Sequence, residues 1–131
     1  MINKYVYHNE NPENNRVGDC VVRALSTVLS QEWEVTFTEL VLVALKRHDM
    51  PSANAVWGAY LKEKGFRRST LPDECPACYT ARDFCEDHKT GRYVLAFGTH
   101  VCAVINGYYY DTWDSGDEVP QYYFYKEERN E

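Results

Sequence analysis

The chain has 131 residues and a formal charge of −6, with 14 Lys and Arg against 20 Asp and Glu. That length suits one domain, 1–131, with a single sizeable core, and the acidic balance without a Lys/Arg cluster argues against a nucleic-acid partner. No apolar run reaches the roughly 18 residues of a membrane span.

In chain order, residues 1–18 are polar and rich in turn formers, and "NENPENN" is a poor candidate for regular structure. Asp19 is placed to cap a helix over about 20–30, whose Val21, Ala24, Leu25, Val28 and Leu29 share one face. Thr36 and Glu39 have capping-box spacing and introduce a second helix carrying Phe37, Leu40, Val41, Ala44 and Leu45. Pro51-Ser52 opens a third, with Val56, Trp57, Tyr60 and Leu61, which Gly65 stops. A short fourth helix is expected from Ala81 to His88, capped by Thr80. After Gly91 the pattern turns to strands: "RYVLAF", "HVCAVI", "YYYDTW" and "QYYFY", with Asn106-Gly107 as a hairpin turn. Helices followed by an antiparallel sheet predict an α+β domain.

The chain has five cysteines, at 20, 75, 78, 85 and 102. "MINKYVYHNENPENN" has no signal-peptide core, so free thiols or a metal site in a reducing cytosol are expected, and a cytoplasmic location with them. In "RVGDCVVRALS", Cys20 falls in the first helical turn. Unpaired backbone N–H groups and the positive end of the helix dipole favour a thiolate there, and such positions lower a cysteine pKa from about 8.5 toward roughly 3.5–7.5. The bland alternative is a small buried hydrophobe.

His100 opens the strand "THVCAVING", and the return strand "YYYDTWDSG" carries Asp111 back toward it. A carboxylate there could accept the imidazole N–H and stabilise the imidazolium. Asp114 lies in a turn-like stretch and is expected to bond local backbone amides. Trp113 could shield the His–Asp pair, and Arg23 could pair with Asp19 at i, i+4 spacing.

"GDCVVRAL", "GTHVCAVING" and "YYYDTWDSG", in that order, resemble the papain-like cysteine peptidase fold, and in particular small papain-like proteins of bacterial and phage genomes. The resemblance spans about residues 11 to 125. It implies N-terminal helices packed on a C-terminal antiparallel sheet, with Cys20 as nucleophile, His100 as base and Asp111 as the orienting residue. It implies a cysteine hydrolase acting on a peptide or isopeptide amide of a peptide or protein substrate, with no cofactor required. Papain-like enzymes usually carry a Gln a few residues before the nucleophile to form the oxyanion hole. This chain has none there, and Asn14 stands at a similar offset, beside Asn11 and Asn15; the Cys20 N–H would be the other donor. The same triad serves transglutaminase-like and other acyl-transferring enzymes, and an idle papain-like module that binds a protein partner is a further alternative.

A Cys/His-rich insertion, residues 75–88, contains Cys75, Cys78, Cys85 and His88 in "CPACYTARDFCEDH". The C-x-x-C pair and the i, i+3 pair could close a structural zinc site, although the central gap is shorter than in familiar zinc patterns.

Overall fold

The computed structural model describes residues 3–71 and 78–126. Among them, four helices and a six-stranded mixed sheet form an α+β architecture. The elements are β1 (Tyr5–Tyr7), α1 (Cys20–Leu29), α2 (Trp33–Arg47), α3 (Asn54–Glu63), β2 (Phe66–Thr70), α4 (Ala81–Asp87), β3 (Arg92–Ala96), β4 (Val101–Ile105), β5 (Tyr108–Asp111) and β6 (Tyr122–Lys126). None of the helices among the described residues is long and apolar enough to cross a membrane.

The strand order is β1-β5-β4-β3-β6-β2. Strands β2 to β6 pair antiparallel, but β1 lies parallel to β5, with Tyr7 opposite Asp111. This corrects two sequence expectations. The N-terminal segment holds a strand, because its alternating "YVY" finds a free edge on β5. The sheet is also mixed, and β1 and β2 precede the last helix. "NENPENN" itself contains only a turn.

Strand alternation divides the core. Val94, Ala96, Val101, Ala103 and Phe124 face α1, α2 and α3, where Leu25, Leu40, Val56, Trp57 and Leu61 close one apolar cluster. Leu95, Phe97, Cys102, Val104 and Tyr109 face the other way, and Ala81, Phe84 and Cys85 of α4 cover them. The hairpin turns where expected: Asn106 (φ 50°) and Gly107 (φ 81°) both take the left-handed region that a two-residue turn of this type demands.

Three helix starts differ from the sequence reading: α3 begins at Asn54, after a turn at Pro51-Ser52. Asp19 precedes α1, but its side chain makes no cap hydrogen bond. Thr36 lies inside α2, which begins at Trp33, and it is fully buried. Its hydroxyl accepts from Ser26 Oγ at 2.8 Å and from Gln31 Nε2 at 2.9 Å, clipping α2 to α1. The stripe that α2 buries is therefore Thr36, Leu40 and Ala44, leaving Phe37, Val41 and Leu45 exposed. Thr80 does cap α4, in a capping box with Asp83.

Candidate active site

Cys20 is the first residue of α1, which packs across β4. It is partly exposed. The bond from Phe97 N–H to His100 C=O (2.8 Å) closes the β3–β4 turn, so His100 stands just ahead of β4 at the end of the sheet where α1 begins. The imidazole faces the Cys20 thiol closely enough that each shifts the other's pKa. On its other side, His100 Nε2 donates to Asp111 Oδ2 at 2.6 Å. The hairpin explains the meeting. Ala103 is opposite Tyr110, so the same register sets Asp111 level with Cys102, one diagonal step from His100.

Asp111 is 4 % exposed and closely held. Ser115 Oγ donates to its Oδ2 at 2.7 Å and the Thr112 N–H to its Oδ1 at 2.8 Å. Its carbonyl accepts from the His8 N–H and from the Tyr5 hydroxyl, which ties the site to β1. The rings of Trp113 and Phe97 flank His100 at centroid distances of 4.9 and 5.9 Å. Phe97 and Ser115 escaped the sequence reading. Ser115 sits four residues past Asp111 in a loop, and nothing in "WDSGD" distinguishes a hydroxyl aimed at a buried carboxylate from a turn former.

The electrostatics follow from these contacts. Burial alone would push the Cys20 thiol up. The hydrogen bond and positive charge of His100, the Val101 amide and the charge of Arg23 outweigh it, and the thiol lies below its ordinary value. Burial would likewise lower His100, but the hydrogen bonds to Asp111 and Cys20 and their charges raise it to about 9. The two shifts have one meaning: the thiolate–imidazolium pair is favoured over the neutral pair.

Asp19 is a buried hub. Its carboxylate accepts from Arg23, from Asn11 Nδ2 at 3.0 Å and from Trp33 Nε1 at 3.0 Å. The expected Asp19–Arg23 pair is present and the expected cap is not. This arrangement anchors the N-terminal segment and α2 to the first turn of α1. Asn14 is exposed, with φ 54°, and lines an adjoining cleft rather than the small cavity of about 10 Å³ around Cys20. The buried amide of this segment is that of Asn11, already bound to Asp19. Asp114 joins α4 to the loop after β5, accepting from Tyr109, from Arg82 at 3.2 Å and from the Gly116 N–H at 3.1 Å.

Among the described residues no group of three or more His, Cys, Asp or Glu could hold an ion. Cys75 lies outside those residues, and Cys78 is disulfide-bonded. Cys85 is fully buried among apolar groups, which pushes its thiol up to about 12. His88 stacks on Phe84 at 3.8 Å and places its Nδ1 on the Phe84 carbonyl at 2.8 Å.

No protein-family model, curated protein or solved structure matches this chain.

Proposed function

We propose that the chain is a papain-like cysteine hydrolase that cleaves a peptide or isopeptide amide. The observation that carries this reading is the hydrogen bond from His100 to the buried Asp111 beside Cys20, with the Cys20 thiol shifted down and the imidazole shifted up by their mutual interaction. Structural ion pairs also shift pKa values, but a half-exposed thiol at a helix start, backed by an imidazole and a buried carboxylate, is the arrangement a nucleophile requires.

In this mechanism the Cys20 thiolate attacks the amide carbonyl carbon and a C–S bond forms. The carbonyl electron pair moves to oxygen, and the N–H groups at the start of α1, which have no partner within the helix, face that developing charge. The imidazolium of His100 then protonates the leaving amine as the C–N bond breaks. His100, now neutral, takes a proton from water, whose oxygen attacks the thioester carbon. A carboxylic acid leaves and the thiol is restored. Asp111 fixes the ring orientation of His100; Ser115 and the Thr112 N–H hold its two oxygens in place.

The test is brief iodoacetamide exposure of folded protein at neutral pH, followed by peptide mapping. Cys20 should label first, with Cys85 and Cys102 untouched. Hydrolysis of a peptide mixture in ¹⁸O-water should then place the heavy isotope on new C-termini, and Cys20→Ala should abolish it. Preferential labelling of another thiol removes Cys20 as the nucleophile.

A further inference from the structure

Beside the Cys20 pocket lies a cleft of about 610 Å³, within the roughly 300–1,000 Å³ typical of ligand sites. It adjoins the proposed catalytic residues through three elements. Arg23, one turn into α1 from Cys20, lines both the cleft and the cavity around the thiol. Thr112 follows Asp111 directly, and Tyr7 lies opposite Asp111 in the β1–β5 register. The remaining wall is the segment that carries Asn9, Asn14, Asn15 and Arg16.

The chemistry of that wall runs against the rest of the molecule. The chain carries six more acidic than basic residues, yet among the described residues no Asp or Glu lines the cleft. Two guanidinium groups and three amides do. The charge of Arg23 is already met by Asp19. Arg16 is exposed on the cleft and makes no ion pair among the described residues. An uncompensated guanidinium among neutral amide donors suits a carboxylate, which an Arg can bind through two parallel N–H···O bonds.

We propose that this cleft is the substrate-binding cleft, and that it takes an acidic segment of a peptide, seating a carboxylate on Arg16 while the neighbouring amide reaches Cys20. The proposal rests on Cys20 as the nucleophile and adds the class of substrate. Arg16 is then a specificity-determining residue, and its amide neighbours Asn9, Asn14 and Asn15 supply hydrogen bonds to the peptide backbone.

Two probes test it: the chloroacetyl derivatives of glutamic acid α-amide and of lysine α-amide. They share one reacting carbon, at which the thiolate forms a C–S bond and chloride leaves, and they differ in side-chain charge. Rates at Cys20 are read by mass spectrometry and divided by each probe's rate with free glutathione. The glutamate probe should label Cys20 roughly threefold or more faster than the lysine probe at low salt, and the preference should vanish at about 1 M salt. In Arg16→Gln, an exposed substitution, the ratio of the two probe rates should fall toward one. Equal probe rates in the unsubstituted protein, or a preference that survives Arg16→Gln, overturns the assignment of the cleft and leaves the nucleophile standing. A Cys20 inert to both probes and to iodoacetamide overturns the nucleophile, and the cleft assignment with it.

Discussion

Cys20 and Cys85 each lie on a helix with a histidine close by, and the fold treats them in opposite ways. Cys85 is enclosed by the apolar cluster under α4, and its thiol is pushed up to about 12 because burial outweighs the charge of Lys4. Its neighbour His88 is occupied by ring stacking and a backbone carbonyl. Cys20 also carries a burial penalty, but an imidazole, an amide and a guanidinium more than offset it. The imidazole can do so because a carboxylate stands behind it. The contrast shows that the direction of a thiol's pKa shift here is set by the charged and polar groups reaching the sulfur, rather than by the residue types nearby.

The largest expected effect breaks the inert half of the comparison. Phe84 is fully buried and packs on His88, Tyr93 and Tyr123. Phe84→Ala should cost about 3–5 kcal/mol of stability in chemical denaturation. It should also make Cys85 accessible to iodoacetamide while leaving the Cys20 rate unchanged. Loss of Cys20 reactivity in this variant would show that the two sides of the sheet are coupled.

Asp111→Asn acts on the reactive half. His100 is raised to about 9, and its bond to Asp111 is the strongest of the influences raising it. Removing the negative charge lowers the imidazole pKa, so less imidazolium remains at neutral pH and the Cys20 thiol loses its main support. The sign is fixed: the low-pH limb of the Cys20 alkylation profile moves to higher pH. Below that limb the rate falls about tenfold for each unit of movement. A profile that stays in place would remove Asp111 from its orienting role.

Ser115→Ala sharpens the same comparison with a smaller effect. The carboxylate keeps its charge but loses one of two donors on Oδ2, a hydrogen bond to a charged group worth about 1.5–3 kcal/mol in stability. The alkylation profile should move in the same direction as for Asp111→Asn and by less; Ser115→Thr should restore it. Asp114→Asn should move the profile least of all, since Asp114 holds Tyr109, Arg82 and the Gly116 amide rather than His100. A lowered thermal midpoint with an unchanged profile is the expected result, and a shifted profile would reassign the third residue of the series.

Much of this was legible in the amino-acid order, because it depends on short-range chemistry. Periodicity located all four helices and β3 to β6. The Asn106-Gly107 turn determined the register of β4 against β5, and with it the level at which Asp111 approaches His100. What only the tertiary structure decided depends on partners far along the chain. β1 is three residues long and exists because β5 leaves an edge beside it, over a hundred positions away. β2, "FRRST", has one buried residue and is held by its ladder with β6. Asp19 and Thr36 have the sequence signature of helix caps, yet Asp19 binds Asn11, Arg23 and Trp33, and Thr36 binds Ser26 and Gln31. Such residues can bond either to the nearest backbone amide or to a buried partner on another element. The order of amino acids states the first option, and only packing supplies the second.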